Sequence, residues 1–293
     1  MQILTPQNWT DYELLDSGNG MKLERYGKYT VSRPDPQIIW QPHLPQNIWD
    51  SADATFTRTH EDKGIWKFQS KMDQKWLCNY QRLSFWVKLS PFKHTGVFPE
   101  QAIHWEWIKE RLEGVEGKEG LGRQPKVLNL FGYTGIASLA AAAAGAEVTH
   151  VDASYPTIGY FKENIAASHL EKAKIRYIEE DVLKFCEREA RRGAKYDAII
   201  MDPPAFGHGP AGEVWQFNKS FPKLMAVCKE LLSDKPLFII INAYAISTSA
   251  ITLENMLLDW KLGGKIESGE LALAEKDTGR LLSTGIFARW SKN

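Results

Sequence analysis

The feature that most constrains the fold is a series of short apolar segments between residues 127 and 241. They occupy residues 127–131, 147–151, 175–178, 198–201 and 237–241, and helical patterns separate them. Short continuous apolar runs indicate strands that are buried on both faces, and alternation with helices is typical of a parallel sheet. The sequence therefore predicts an α/β fold with a mostly parallel sheet and helices on both of its faces.

Different patterns flank this region. Residues 1–93 contain short aromatic and β-branched runs between turn signals such as Ser17-Gly18-Asn19-Gly20, which indicates a small β-rich domain. Apolar residues then recur every three or four positions over 99–114, which predicts a helix, and a glycine-rich loop follows over 114–125. Strand-like stretches at 265–273 and 282–290 could pair antiparallel. We therefore expect a β-rich domain over 1–93 and a second domain over 94–293.

Composition excludes several classes of protein. The chain has 36 Lys and Arg against 36 Asp and Glu, and 43% of its residues are hydrophobic, so a disordered or collagen-like chain is excluded. Apolar runs stay well short of the ~18 residues of a membrane helix, and no secretory signal is visible at the N-terminus. A cytoplasmic location is therefore expected. The three cysteines are widely spaced, and we expect neither disulfides nor a metal site.

Two motifs at the ends of predicted strands suggest a nucleotide-like ligand. Gly132-Tyr133-Thr134-Gly135 follows the first strand, where glycines let the backbone approach a ligand at a helix start. The alternative is a simple tight turn. Asp152 ends the second strand, where a carboxylate can accept hydrogen bonds from a ribose diol. Here the alternative is that Asp152 or Ser154 only caps the next helix.

Two further motifs follow the third and fourth strands. Asp181 could accept from an adenine amino group while Val182 packs on the ring, or it could cap a helix at the surface. The sequence Asp-Pro-Pro-Ala-Phe at 202–206 is the most specific motif. Its prolines lack N–H donors and stiffen the backbone, so carbonyl groups and the Asp202 carboxylate are expected to face a cleft beside Phe206. A purely structural proline turn is the alternative.

Together these motifs resemble those of class I S-adenosylmethionine-dependent methyltransferases, from about residue 93 to the C-terminus. The bacterial family that methylates large-subunit ribosomal RNA is the most similar, and residues 94–101 (HTGVFPEQ) resemble its T-G-x-F-x-D-Q signature. The resemblance implies a Rossmann-like sheet of seven strands with an antiparallel last strand. It also implies S-adenosylmethionine as the cofactor.

The resemblance also assigns site residues. The cofactor would be bound by Val97, Phe98, Glu100, Gln101, Phe131, Gly132, Tyr133, Thr134, Gly135, Asp152, Ala153, Ser154, Asp181, Val182 and Asp202. The catalytic residues would be Asp202, Pro203, Pro204 and Phe206.

One departure from the family concerns the reaction. Family members that methylate cytosine C5 carry a nucleophilic cysteine after the fifth strand, because that carbon needs covalent activation. The matching stretch here is Asn242-Ala243-Tyr244-Ala245, so C5 chemistry is not expected. The family often has a lysine in the fourth motif, where this chain has Ala205. An Asn-containing version of the loop at 242–245 resembles family members that methylate a ring nitrogen or have no assigned substrate. The resemblance therefore implies methylation of a base nitrogen in RNA, with ribosomal RNA as the family's substrate.

Other functions stay open on the sequence alone. The acceptor could be a protein side chain or a small molecule, or the chain could be a non-catalytic adapter that binds RNA or protein. A nicotinamide dehydrogenase is disfavoured by the incomplete glycine fingerprint. The best basic stretch for RNA comprises Lys184, Arg188, Arg191, Arg192 and Lys195, although a solvated helix face is the favoured interpretation. The many tryptophans are expected to pack the β-rich domain, with base stacking as the alternative.

Overall fold

The computed structural model describes residues 1–59, 64–113, 121–244 and 246–292. Two compact units divide the chain. The α/β unit comprises Met1–Leu4, His104–Leu271 and Gly285–Asn293, and the β-rich unit comprises Thr5–Ile103 and Ala272–Thr284. Each unit is therefore built from segments that are separated in the sequence. The domain boundary between residues 93 and 94 remains a prediction. Part of the predicted 114–125 loop lies outside the described residues.

The β-rich unit contains a five-stranded sheet and a separate hairpin. Strand β1 (Gln2–Leu4) precedes it and belongs to the α/β unit. The sheet runs in the order β2 (Tyr12–Gly18), β3 (Met21–Tyr26), β4 (Tyr29–Pro34), β5 (Ala54–Arg58) and β6 (Gly64–Phe68). Helix α1 (Gln46–Asp50) lies between β4 and β5, and the hairpin pairs β7 (Trp76–Tyr80) with β8 (Leu83–Val87). A β-rich N-terminal region is thus confirmed.

Local sequence explains this unit well. Asn19 and Gly20 connect β2 to β3, and both have positive φ angles of 51° and 76°, as a type I′ hairpin turn requires. Trp9 and Trp76 are buried in the interior, whereas Trp40, Trp49, Trp66 and Trp86 are half-buried. The indole of Trp76 donates to the Tyr26 carbonyl at 2.9 Å, and Trp9 stacks edge-on against Tyr80 at 5.0 Å.

The α/β unit follows the predicted alternation of strands and helices. A 3-10 turn (Pro99–Gln101) leads into α2 (Ala102–Leu112). The elements after it are β9 (Lys126–Leu130), α3 (Ile136–Ala143), β10 (Glu147–Asp152), α4 (Tyr155–Ala167), β11 (Ile175–Glu179), α5 (Val182–Arg191), β12 (Ala198–Met201), β13 (Phe206–His208), β14 (Val214–Gln216), α6 (Phe217–Leu231), β15 (Phe238–Ala243), α7 (Ala250–Leu258), β16 (Lys265–Ala274) and β17 (Leu281–Ser291).

The main sheet is mostly parallel. Its strands lie in the order β1-β16-β17-β15-β12-β9-β10-β11. The neighbours from β15 to β11 are parallel, and β17 runs antiparallel to β15. The fold class and the antiparallel last strand are therefore confirmed. An eighth strand, β1, joins the edge parallel to β16, although the sequence placed residues 2–4 in the β-rich domain.

Helices cover both faces of this sheet. Alternate residues of β12 and β15 point to opposite sides, with Ile199 and Ile241 in one hydrophobic cluster and Ile200 and Phe238 in the other. All four side chains are at most 3% exposed, which explains why these strands are apolar without alternation. Among the described residues, no helix combines the length and the apolar character needed to cross a membrane.

Candidate functional site

Most of the predicted site residues lie along one edge of the main sheet. Strands β12, β9, β10 and β11 are adjacent and parallel, so the loops after them meet at their carboxyl ends, where open α/β sheets bind ligands. These loops carry residues 131–135, 152–154, 181–182 and 202–206. The remaining predicted residues, Val97, Phe98, Glu100 and Gln101, lie in the β-rich unit.

The loop after β9 is strained and tightly packed. Phe131 and Tyr133 have positive φ angles of 56° and 50°, and Gly135 has one of 84°. Such angles are costly for residues with a side chain and cluster at functional sites. A Cβ on Gly132 would lie 2.2 Å from the His150 ring, and one on Gly135 would lie 1.9 Å from Phe161. Both glycines are therefore required by packing beneath the loop, beyond any role in ligand approach.

A buried polar chain supports this loop, and sequence reasoning did not find it. Asn129 donates to the Ser138 hydroxyl at 2.8 Å, and that hydroxyl lies 3.0 Å from His150 Nδ1. The imidazole stacks on Phe161 with ring centroids 4.0 Å apart. Burial lowers the pKa of His150 to about 3, so the ring is neutral. A histidine inside the apolar run 147–152 was the available signal.

Asp152 ties two of the loops together. Its Oδ2 accepts from the Tyr133 backbone N–H at 2.8 Å, and its Oδ1 accepts from the Ser154 N–H and the Thr157 hydroxyl, both at 2.9 Å. These bonds fix the chain just before α4, whereas the Ser154 side chain makes no capping bond. A carboxylate has about four acceptor positions, so Oδ2 retains capacity for one further donor.

The loop after β11 shows the capping geometry predicted as the alternative role for Asp181. Its Oδ1 accepts from the Lys184 backbone N–H at 2.9 Å, at the start of α5. A ligand amino group would therefore be accepted by Oδ2. Val182 is 1% exposed and packs in the hydrophobic cluster around β9 and β12. A side chain that packs on a ligand ring needs an accessible surface, so this burial does not favour the predicted contact of Val182 with the adenine ring.

The Asp-Pro-Pro-Ala-Phe segment after β12 is held by its carbonyl groups. The Trp215 indole donates to the Pro204 carbonyl at 2.7 Å, and the Phe217 N–H donates to the Ala205 carbonyl at 3.0 Å. The expectation that the carbonyls face a cleft is therefore wrong for these two, because they anchor the following chain. Phe206 is 55% exposed, as expected for a side chain that could stack on a flat ring.

The hairpin of β13 and β14 was not predicted from the sequence. It pairs Phe206 with Gln216 and His208 with Val214. Its Trp215 is 5% exposed and contacts Phe131 of the glycine loop with ring centroids 4.8 Å apart. One side chain thus links the loops after β9 and β12. The glycines at 207, 209 and 212 were the available turn signal.

In the β-rich unit, Glu100 has an unusual environment. The carboxyl is 8% exposed, and burial raises its pKa to about 7, against the opposing effect of the Lys22 and Arg33 charges. Val97 is 2% exposed, and its carbonyl accepts from the Thr95 hydroxyl at 3.2 Å. Phe98 lies edge-on to His94 at 5.7 Å. Glu100 and Gln101 form part of the 3-10 turn.

The basic stretch near α5 is largely neutralised. Lys184 pairs with Glu213, Arg188 pairs with Glu180, and Arg192 lies 3.2 Å from Glu189. Lys195 donates to the Glu230 carbonyl at 2.8 Å. These contacts agree with the favoured interpretation, a solvated helix face, and weaken its candidacy as an RNA footprint.

One cluster of potential metal ligands occurs in the described residues. Donor atoms of Asp16, His43 and Glu275 lie within 4.8 Å of one another in the β-rich unit. However, Arg280 Nη2 lies 2.6 Å from His43 Nε2. A guanidinium can only donate, so Nε2 accepts, and Nδ1 carries the proton 3.4 Å from Glu275. Asp16 also accepts from the His43 and Leu44 backbone N–H groups. This arrangement fastens a loop and leaves no imidazole nitrogen for a metal.

Comparisons with known proteins identify the family of this chain. The sequence model of the S-adenosylmethionine-dependent methyltransferase family matches residues 32–258. A crystal structure of the SAM-dependent methyltransferase from Agrobacterium tumefaciens is 45% identical, with a TM-score of 0.93, over 100% of this chain and 94% of that one.

Two curated relatives are ribosomal RNA large subunit methyltransferases. The K/L protein of Shewanella frigidimarina is 31% identical over 65% of this chain and 26% of its own length. The K protein of Neisseria meningitidis is 23% identical over 74% of this chain and 61% of its own length. The chain thus spans about a quarter of the first relative and less than two thirds of the second.

The family match covers well over half of the chain, and the mostly parallel sheet agrees with it. The chain belongs to the S-adenosylmethionine-dependent methyltransferases.

Proposed function

We propose that this methyltransferase modifies a nitrogen atom of a base in ribosomal RNA. The observation that carries the proposal is the burial of every thiol in the chain. Cys78, Cys186 and Cys228 are each 0% exposed, and burial raises the pKa of Cys78 to about 12. Cytosine C5 methylation requires an accessible thiolate. A ring or exocyclic nitrogen needs no such nucleophile.

The position at which C5 enzymes carry their cysteine supports the same conclusion. The matching stretch is Asn242-Ala243-Tyr244-Ala245; its Ala243 ends β15 and is 3% exposed. Tyr244 follows it, and Ala245 lies outside the described residues. Since a methyl side chain cannot attack a base, no covalent intermediate is expected from this strand.

The residues at the sheet edge fit the cofactor. Oδ2 of Asp152 can accept from one ribose hydroxyl, and the first N–H groups of α3 lack partners within the helix, so they suit an anionic group such as a carboxylate. The strained loop 131–135 brings backbone close to this edge. Asp181 Oδ2 would accept from the adenine amino group. The cofactor contacts of Val97, Phe98, Glu100 and Gln101 remain predictions from the family resemblance.

The bound cofactor supplies an electrophilic methyl group on a sulfonium sulfur. The chain's own task is to position the acceptor, since alignment of reacting atoms at ~3–3.5 Å accounts for much of the acceleration. We assign the Asp202 carboxylate and the Pro203 carbonyl to bind the acceptor amino group, because the next two carbonyls are already occupied. The exposed Phe206 ring would stack on the base.

The relatives' printed names support RNA as the acceptor. An acceptor in ribosomal RNA also fits the cytoplasmic location expected from the sequence. The neutral charge of the chain and the ion pairs around α5 favour a second candidate, a protein or small-molecule acceptor.

The test is to incubate the purified protein with methyl-labelled cofactor and, separately, ribosomal RNA or total protein from a strain that lacks the enzyme. Label in RNA is the expected result, and Asp202→Ala should reduce transfer to RNA by a larger factor than it weakens cofactor binding. Label only in protein would favour the second candidate. Cofactor binding without transfer to either would favour an adapter.

A further inference from the structure

A basic and aromatic segment in the β-rich unit offers a second surface for RNA. Residues 64–93 contain six Lys and Arg residues but a single acid, Asp73. The chain as a whole has equal numbers of positive and negative charges. This segment therefore has a local excess of positive charge, whereas the cations of α5 are largely paired. The segment includes the β7–β8 hairpin.

The hairpin has one buried and one outer face. Trp76, Cys78, Tyr80, Leu83, Phe85 and Val87 are buried. The alternate residues point outward, so the register places Leu77 opposite Trp86 and Asn79 opposite Ser84. Leu77 is 45% exposed, and Trp86 is half-buried. An aliphatic side chain and an indole thus form an apolar strip on the outer face.

Two lysines lie at one end of this strip. Lys75 and Lys88 are exposed and stand one residue beyond the Trp76 and Val87 pair. The Lys75 ammonium lies over one face of the Trp86 ring, 4.5 Å from its centroid, in a cation–π contact. At the far end Ser84 donates to Asn79, which in turn donates to the Asp11 carboxylate. Arg82, in the turn at the far end, is exposed as well, and the two lysines are the cations nearest to the indole.

We propose that this outer face, which comprises Lys75, Leu77, Trp86 and Lys88, binds single-stranded RNA. An unpaired base stacks on the Trp86 indole in place of the Lys75 ammonium. The ammonium groups of Lys75 and Lys88 then contact neighbouring phosphates. Aromatic side chains beside cations are the usual means of binding single strands, because every base has a π face and every linkage a negative charge. The choice of RNA as the polyanion rests on the proposed function.

The test measures binding of a short fluorescein-labelled single-stranded RNA to the full-length protein by fluorescence anisotropy. Trp86→Ala should weaken binding about tenfold, because stacking contributes ~1–3 kcal/mol per base, whereas Trp86→Phe should retain most of the affinity. Replacing Lys75 and Lys88 by alanine should reduce the slope of log affinity against log salt by about 1.4, at ~0.7 per phosphate contact.

Controls separate this surface from the rest of the chain. The paired α5 cations provide a matched variant, Lys184→Ala with Arg192→Ala, which should leave RNA affinity unchanged. If Trp86→Ala does not fold, Lys75→Glu with Lys88→Glu tests the same face at exposed positions. Each variant should bind cofactor as the parent does.

Three results would overturn the proposal: RNA affinity unchanged in the hairpin variants, loss of affinity only in the α5 variant, or equal binding of duplex RNA that does not depend on Trp86. Methyl transfer to RNA with Trp86-independent affinity would refute this surface and leave the proposed function standing. Trp86-dependent RNA binding without methyl transfer would support this surface and refute the proposed function.

Discussion

Replacing Asp152 by alanine tests whether this carboxylate binds the cofactor or only organises the chain. In the structure it accepts three hydrogen bonds from Tyr133, Ser154 and Thr157. One acceptor position on Oδ2 remains for a ribose hydroxyl. Asp152→Ala removes all of these contacts, so it should lower both stability and cofactor affinity.

The magnitude follows from the single bond assigned to the cofactor. A hydrogen bond to a charged group contributes ~1.5–3 kcal/mol, so the dissociation constant should rise about 10- to 150-fold. Thr157→Val is the matched control. It removes one internal hydrogen bond to the same carboxylate and leaves Oδ2 unchanged, so its cofactor affinity should change only slightly.

Isothermal titration calorimetry with S-adenosylmethionine, well below the unfolding temperature of each variant, measures the cofactor dissociation constants of Asp152→Ala and Thr157→Val. Urea denaturation reports the accompanying loss of stability. If Asp152→Ala binds the cofactor within about twofold of the parent while its stability falls, Asp152 has a structural role alone. The ribose assignment would then be wrong.

Three further changes test other parts of the site. Gly132→Ala should cost about 1–3 kcal/mol in the free energy of unfolding, because its Cβ would meet the fixed His150 ring; unchanged urea stability would contradict this packing. Trp215→Phe should lose about 1 kcal/mol with the bond to Pro204 and slow methyl transfer with little change in cofactor affinity, as stopped-time assays would show. Glu100 has a pKa of about 7 in the folded protein against an ordinary value of 4.5. Between these values the folded state keeps a proton that the unfolded state has lost, so the stability present below pH 4.5 decreases as the pH rises to about 7. Glu100→Gln should remove that loss, up to about 3 kcal/mol above pH 7, whereas parallel stability curves for the two proteins would refute it.

The strands of the main sheet could be predicted because each is continuously apolar and bounded by turn signals. Strands β12 and β15 are covered on both faces, so nearly all of their residues are apolar and the sequence alone identifies them as buried parallel strands. Strand β1 could not be found in this way. It has three residues, pairs with β16 more than 260 residues later, and is mostly exposed, so its own sequence carries little signal.

The candidate site was predicted where a residue type marks a strand end, as at Asp152 and Asp202. It was missed where the contact depends on tertiary structure. Trp215 reaches the Pro204 carbonyl through a hairpin that only the folded chain reveals. Likewise, the paired state of Lys184 and Arg188 depends on carboxylates from other elements, so charge counting along α5 overstated its basic character.

The most direct test of the central claim is the identity of the methylated nucleoside. Ribosomal RNA labelled by the purified protein should be digested to nucleosides and resolved by liquid chromatography with mass spectrometry. The account predicts an N-methylated base, formed at an undiminished rate by a protein in which Cys78, Cys186 and Cys228 are replaced by small residues that preserve folding. Label in 5-methylcytidine, or a loss of transfer that follows removal of one thiol from a folded protein, would contradict it.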